Sequence, residues 1–215
     1  MTDDLIIEQF RVGPFWNFSY IVGSHETREA VIIDPGAEID TVLSRVEVLG
    51  LRVVAAVATH FHTDHTAGLA TAVERTGATA LLHHADVPGV RRHYHGPLRA
   101  TTDGDRLPVG RQQITMWHAP GHTPGSQWLL VDGVVFTGDM LMVGAVGRTG
   151  FEDDAAEQMW RTFRERFPLL ADETRVYPGH DYGPTRSSTV RLERQRLPCL
   201  RARSLDEFLA CIERG

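Results

Sequence analysis

The chain has 215 residues, of which 42% are hydrophobic and 23% charged, a composition typical of one globular domain and not of a disordered or fibrous protein. No apolar run is long enough to span a membrane, and the net charge of −6 comes with arginines spread along the chain, so neither a membrane nor a nucleic acid is an expected partner. We expect a single domain over residues 1–215.

The first third of the chain has the pattern of short strands. Its start, MTDDLIIEQF, is acidic and lacks the basic and apolar segments of a secretory signal. LIIEQFRV, NFSYIVGS and EAVIIDPG are apolar or alternating runs bounded by Gly, Pro or Asn, which predicts three strands ending in the turn Asp34-Pro35-Gly36. Apolar spacing predicts a helix from Ile39 to Leu49, and the β-branched run RVVAAVAT predicts a buried strand.

The remaining chain mixes helices with a second group of strands. GLATAVERTG predicts a helix that ends at Gly77, and TALLHHAD predicts a strand. The stretch from ADVPGVRRHYHGPL to TTDGDRLPVG predicts irregular structure, whereas RQQITMWHA, SQWLLVDG and VVFTGDML predict strands. The helix AAEQMWRTFRERF, the strand TRVYPGH and helices near STVRLERQR and SLDEFLACIER complete the prediction. Consecutive strands without helices between them favour packed sheets over one parallel sheet.

Two cysteines, Cys199 and Cys211, lie in helix-like sequence near the C-terminus. They form neither a disulfide framework nor a clustered thiolate site for a metal. We therefore expect two reduced thiols, which agrees with a cytoplasmic location.

The densest group of chemically active side chains follows RVVAAVAT directly: THFHTDHTAG contains His60, His62, Asp64 and His65. Residues two apart in an extended chain point the same way, so His60 and His62 can approach one ion from one side. Asp64 and His65 lie past the bend and can face a second ion. Such clustering is unfavourable as ordinary packing, because the polar atoms need partners and the cationic forms repel one another. A metal satisfies all of them.

Three further candidate ligands each follow an apolar strand and a glycine: His122 in HAPGHTPGS, Asp139 in VVFTGDML and His180 in VYPGHDYG. A preceding glycine lets the backbone approach a crowded centre without a Cβ clash. Imidazole and carboxylate ligands suit zinc, iron or manganese and leave positions for water or substrate. The sequence therefore predicts one or two ions, with zinc (Zn) expected first and Fe or Mn as alternatives.

The order and spacing of THFHTDH, APGHTPG, FTGD, VGRTGF and YPGHDY, which cover nearly the whole chain, resemble the metallo-β-lactamase superfamily, specifically its glyoxalase II and persulfide dioxygenase branch. The resemblance implies an α/β (α+β) fold, a four-layer αββα sandwich with the site at one edge. It also implies one metal held by His60, His62 and His122, another held by Asp64, His65 and His180, and a bridging Asp139.

This ligand set predicts a metal-dependent hydrolase. A bound metal can lower the pKa of water from about 15.7 to about 7 and supply hydroxide, while a second ion polarises a carbonyl and stabilises a leaving thiolate. Asp64, which orients the water, and Asp139, which offsets the charge of the ions, are the predicted catalytic residues. The expected substrate is a small molecule, a thioester of glutathione or of another thiol.

Two residues are predicted to bind that substrate. Tyr182 is similar in position to a tyrosine that contacts glutathione in the family, and a packing role is the alternative. Arg148 lies within VGRTGF and is expected to brace the site, with a surface salt bridge as its alternative. Five other histidines match no ligand of the family and are expected in solvent or loops: His83, His84, His93, His95 and His118.

Departures from the family pattern leave other hypotheses open. Asp139 and His65 differ from the residues usual in the commonest zinc β-lactamases, which disfavours antibiotic hydrolysis. The short tail after YPGHDY is closer to persulfide dioxygenases, yet Gly150 replaces the aspartate of their GRTDF motif. The first alternative is an iron-dependent dioxygenase that uses His60, His122 and Asp139 as a two-histidine, one-carboxylate face. The second is a non-catalytic metal-binding module.

Overall fold

The computed structural model describes residues 4–149 and 154–213, and it contains two six-stranded sheets. The first sheet consists of β1 (Leu5–Val12), β2 (Asn17–Ser24), β3 (Glu29–Ile33), β4 (Arg52–Val57), β5 (Thr79–His83) and β6 (Leu98–Thr101), which lie side by side in chain order. The pairs from β1 to β3 are antiparallel, and those from β3 to β6 are parallel. The predicted strands of the first third are thereby confirmed.

The second sheet is formed by β7 (Arg106–Val109), β8 (Gln112–His118), β9 (Gln127–Val131), β10 (Val134–Gly138), β13 (Arg175–Pro178) and β14 (Ser188–Thr189). Its order is β14-β13-β10-β9-β8-β7. The strands from β7 to β10 form an antiparallel meander, and β10 pairs with β13 in parallel. A small hairpin of β11 (Leu141–Met142) and β12 (Ala145–Val146) lies between β10 and β13 in the chain.

The helices are α1 (Ile39–Val48), α2 (Thr63–Thr66), α3 (Leu69–Thr76), α4 (Val87–Val90), α5 (Ala155–Glu165), α6 (Val190–Arg196) and α7 (Leu205–Ile212). Helix α1 forms where predicted, because Ile39, Val42, Leu43 and Val46 share one buried face. Among the helices of the described ranges, none is long and apolar enough to cross a membrane.

Three apolar cores separate four layers of structure. Along β2, Ile21 packs with residues of α1 and α3, whereas Tyr20 and Val22 pack against the second sheet, because neighbouring residues in a strand face opposite sides. Along β10, Phe136 faces the first sheet and Val135 packs with residues of α5 and α7. The result is the predicted αββα sandwich.

The structure differs from the sequence prediction in the middle of the chain. TALLHHAD does not stay extended: β5 ends at His83, and a 3₁₀ turn covers His84–Asp86. The stretch predicted to be irregular contains α4, β6 and β7. In β6 only Thr101 is buried, so the strand carries no apolar alternation; its pairing with β5 determines its conformation.

The expectation of two reduced thiols is wrong. Cys199, in a 3₁₀ turn over Pro198–Arg201, forms a disulfide with Cys211 of α7, with their Cα atoms 5.5 Å apart. Both cysteines do lie in helical structure, but α7 folds back on the turn, a tertiary contact that helical periodicity does not encode. Disulfides are rare in a reducing cytoplasm, so the cysteines no longer support a cytoplasmic location.

Opening this disulfide should lower the free energy of unfolding by about 2–3 kcal/mol, because a short closed loop regains entropy in the unfolded chain. Denaturant unfolding of the oxidised and the reduced protein measures the difference. The double variant Cys199→Ser/Cys211→Ser is the control, since the reductant should leave its midpoint unchanged. Identical midpoints for oxidised and reduced wild type would contradict the prediction.

Candidate metal centre

The seven predicted ligands lie in segments that follow strands of both sheets. The segment after β4 carries His60 and His62, and α2 presents Asp64 and His65. The segments after β8, β10 and β13 carry the remaining three ligands, which are His122, Asp139 and His180. The face-to-face packing of the sheets brings these segments to a common edge.

The structure brings all seven side chains together in three overlapping groups, each with its candidate ligand atoms within 4.8 Å of one another. The groups are His60, His62 and His122; His60, His65 and Asp139; and Asp64, His65 and His180. Asp139 lies between the two sets that the family resemblance implies: its Oδ2 is 3.5 Å from His122 Nε2 and 3.1 Å from His180 Nε2.

The two histidines of the second set turn the same ring nitrogen, Nε2, toward each other. His65 Nδ1 donates to Asp34 Oδ2 at 3.1 Å, and His180 Nδ1 donates to the carbonyl of Phe15 at 2.8 Å. In the neutral rings this leaves a lone pair on each Nε2, and the two Nε2 atoms are 3.2 Å apart. Lone pairs at this distance repel, so a cation between them, either a proton or a metal ion, makes the contact favourable.

The first set has the same arrangement. His122 Nδ1 donates to the carbonyl of Arg148 at 2.8 Å, and His60 Nδ1 donates to Thr59 Oγ1 at 3.1 Å. The Nε2 atoms of both rings then point at His62 Nδ1, at distances of 3.0 and 3.1 Å. A single N–H on His62 cannot serve both lone pairs. Three convergent imidazole nitrogens suit zinc or iron.

Asp139 adds an orphaned carboxylate oxygen. Its Oδ1 is buried, accepts no well-formed hydrogen bond within the described part of the chain and lies 3.3 Å from His65 Nε2, so its negative charge is favourable only with a cation close by. A Cβ at residue 179 would overlap this oxygen, so Gly179 leaves room at this point. The donor set, the facing lone pairs and the orphaned oxygen all fit bound metal.

Charge and burial act on the ligands in opposite ways. Burial lowers the pKa of His60 well below its usual value, lowers that of His62 to about 4 and also lowers that of His122, so these rings are neutral at pH 7. Burial also lowers the pKa of His65, but the carboxylates of Asp139 and Asp34 outweigh it and raise that pKa well above its usual value. The position of His65 therefore attracts positive charge.

Asp34 is a supporting residue that sequence reasoning assigned only to a turn. It is buried, and its carboxylate accepts from Thr59 N at 2.6 Å, Thr59 Oγ1 at 2.8 Å and His65 Nδ1 at 3.1 Å. Through Thr59 it orients His60 as well. One carboxylate thereby fixes a ligand in each set, and an aspartate that ends a buried strand next to the site was the available signal.

Asp86 connects two of the ligand-bearing segments and was also missed. It accepts from Phe61 N at 3.0 Å, from Thr123 Oγ1 at 2.7 Å and from Gly125 N at 2.6 Å. The segment of His60 to His65 and the segment of His122 are therefore held to the same buried carboxylate. No local pattern predicts this role, because Asp86 lies at the end of a stretch interpreted as a strand.

The predicted substrate-binding residues lie at a cavity of about 430 Å³ beside the ligands. Tyr182 stacks on the His180 ring, with centroids 4.5 Å apart, and is 58% exposed. Arg148 is exposed and lines the cavity, while its carbonyl orients His122. Phe15 and Met142 form apolar parts of the wall. The motif residues Gly150 and Phe151 fall outside the described ranges.

The other histidines join no candidate metal group within the described ranges. His118 donates from Nε2 to the carbonyl of Pro124 at 2.8 Å, and its ring stacks on His83 with centroids 4.0 Å apart. His83 is buried, contrary to the expectation of solvent or a loop, and burial lowers its pKa to about 4. The Nε2 of His93 is 2.7 Å from Thr66 Oγ1.

Comparisons with known proteins agree with this geometry. The family model described as the metallo-beta-lactamase superfamily matches residues 12–180. The mitochondrial persulfide dioxygenase ETHE1 of Bos taurus is 34% identical over 205 residues, covering 92% of this chain and 76% of the relative. A hydroxyacylglutathione hydrolase of Polaromonas sp. is 32% identical over 183 residues, covering 83% and 67%.

The crystal structure of ETHE1 from Myxococcus xanthus superposes with a TM-score of 0.84 at 33% identity, covering 97% of this chain and 90% of that one. The fold, the match over most of the sequence and these relatives lead to one conclusion: the chain belongs to the metallo-β-lactamase superfamily.

Proposed function

We propose that the chain is a binuclear metallohydrolase that cleaves a thioester of glutathione or a similar thiol. The observation that carries this proposal is that the residues of both expected ligand sets lie together, and that two histidines of each set have a hydrogen-bond partner outside it. In each set, histidine Nδ1 atoms donate to backbone or buried side-chain oxygens and turn Nε2 inward. Such outer partners fix ligand orientation. Two-metal sites are common among hydrolases, and the proposed substrate class follows the similarity to the hydroxyacylglutathione hydrolase of Polaromonas sp..

Bound zinc, or another divalent ion, would lower the pKa of a water molecule and polarise the thioester carbonyl. The chain supplies the rest of the chemistry. His60, His62 and His122 would hold one ion, and Asp64, His65 and His180 the other, with Asp139 between them. Asp64 lines the cavity with a side chain that is 28% exposed, and we assign it the orientation of the attacking water.

Substrate binding is assigned to Arg148 and Tyr182. The sequence contains no lysine, so a substrate carboxylate at this cavity would be bound by a guanidinium, which can form two parallel hydrogen bonds. Tyr182 offers a hydroxyl and an exposed ring face next to the ligands. We expect a thiol conjugate bound by these residues to direct its acyl carbon toward the ligands that line the same cavity.

A second candidate, an iron-dependent persulfide dioxygenase, is favoured by the similarity to the proteins of Bos taurus and Myxococcus xanthus. It would use His60, His122 and Asp139 as its iron face. These three residues also belong to the ligand sets of the proposed hydrolase, so the two candidates are distinguished by the metal that supports activity. A non-catalytic module, a cytoplasmic location and one domain over residues 1–215 stay predictions.

Metal-exchanged protein distinguishes the two enzymes. We expect the zinc form to release thiol from an acylglutathione at the same rate with and without oxygen, because hydrolysis needs a Lewis acid and water. Zinc has no accessible redox step, so it cannot support dioxygenation. Thiol release and oxygen consumption are measured on zinc- and iron-loaded protein. Oxygen uptake with glutathione persulfide by the iron form alone, and no thioester cleavage by any form, would refute the proposal.

The ligand assignment is tested by two histidines four residues apart in sequence. We expect His122→Ala to lose about one bound ion per chain, because a lone pair of the first set is removed. His118→Ala is the matched control and should keep the wild-type metal content, since His118 bonds to the Pro124 carbonyl. Elemental analysis after dialysis measures both. Equal metal content in the two variants would remove His122 from the ligand set.

A further inference from the structure

The turn between β1 and β2 contacts the second ligand set from outside. The carbonyl of Phe15 accepts from His180 Nδ1 at 2.8 Å, and the carbonyl of Trp16 accepts from Asp181 N at 2.9 Å. Asn17 forms a β-bridge with His180. Among hydrogen bonds between described residues, none joins this turn to the first set, which is His60, His62 and His122.

The side chain of Asn17 reaches the metal ligands themselves. It is 2% exposed, and its Nδ2 donates to Asp64 Oδ2 at 2.8 Å and lies 3.2 Å from His65 Nε2. The amide orientation follows from the carboxylate, which can only accept when ionised. An amide oxygen in this position would face the carboxylate with lone pairs on both sides, so nitrogen faces Asp64.

Of the three ligands in the second set, Asp64 is the one whose orientation depends most on the contact with Asn17. His65 is oriented by Asp34, and His180 by the Phe15 carbonyl. The other polar neighbours of the Asp64 carboxylate are ring nitrogens of the same set, His65 and His180, each 3.5 Å away. Within the described residues, Asn17 is thus the one group outside the ligand set that is hydrogen-bonded to this carboxylate. Asp64 itself sits on the four-residue helix α2 with a partly exposed side chain.

We propose that Asn17 is a positioning residue that determines whether the second metal subsite is filled. Asn17 holds the Asp64 carboxylate in its ligating orientation before an ion binds. The side chain of Asp64 therefore loses less conformational entropy on binding. The first subsite consists of three imidazoles that Asn17 does not contact, so its affinity is independent of Asn17. This inference rests on the binuclear centre of the proposed function.

The backbone around Asn17 is fixed enough for such a role. Trp16 has φ 56°, in the left-handed region that residues other than glycine rarely adopt, and the guanidinium of Arg11 lies over its ring at 5.7 Å. On the other side, Phe18 N donates to the carbonyl of Gly179 at 2.7 Å. The turn is therefore anchored to the segment that carries His180, and Asn17 is presented at a defined distance from Asp64.

The test is a zinc titration of metal-free Asn17→Ala by calorimetry, with elemental analysis after dialysis at fixed free zinc. We expect two binding steps in wild type. In the variant, the first affinity should be unchanged and the second weakened 10- to 100-fold, the range typical for loss of a ligand's outer partner. Asn17→Ser, whose shorter side chain cannot span the distance to Asp64, should behave in the same way and covers the case in which the alanine variant does not fold.

Ser24→Ala is the matched control, because Ser24 is a buried polar residue at the far end of β2 and bonds to Asp4. It should bind both ions as wild type does. Two unchanged affinities in the Asn17 variants, or equal weakening of both steps, would overturn the role of Asn17 while leaving the binuclear proposal intact. A single binding step in wild type would overturn both.

Discussion

Ring nitrogens and carboxylate oxygens with facing lone pairs are packed together at one edge of the sandwich, and this packing explains the other features of the site. Imidazole nitrogens lie 3.0–3.2 Å from one another in both ligand sets, and a buried oxygen of Asp139 beside them accepts no hydrogen bond within the described residues. Two neutral rings with facing lone pairs repel, and so do two protonated rings. A cation shared between them, either a proton or a metal ion, makes the contact favourable, so this edge of the sandwich attracts positive charge.

Keeping the ligands in place requires support from outside the cluster. Asp34 orients one ring directly and another through Thr59, and Asp86 joins two ligand-bearing segments. Each of these carboxylates is buried and accepts hydrogen bonds from different parts of the chain, so neither is left unpaired. The positions of the ligands consequently depend on how the segments around the two sheets pack together. Substitutions of Asp34 or Asp86 would therefore disturb the ligands, although neither residue is itself a ligand.

The resemblance to the family predicted the αββα fold, and the motifs that follow the apolar strands contain the seven residues that the structure brings together. The residues that support these seven could not be predicted, for a physical reason. Asn17, Asp34 and Asp86 act through contacts between residues 25 to 48 positions apart, such as Asn17 with His65 and Asp34 with Thr59, and no local pattern carries that information. The disulfide of Cys199 was missed on the same ground, since two helical segments had to pack before the sulfurs could meet.

We propose that this edge binds two ions, each with its own ligand set, and that Asp139 faces both. Anomalous diffraction at the zinc edge, from crystals of zinc-loaded protein, distinguishes two bound ions from one. We expect two anomalous peaks about 3.5 to 4 Å apart, with imidazole nitrogens at about 2.0 to 2.1 Å from each ion and Asp139 in contact with both. A single peak at full occupancy under saturating zinc, or peaks held by residues outside the seven, would contradict it.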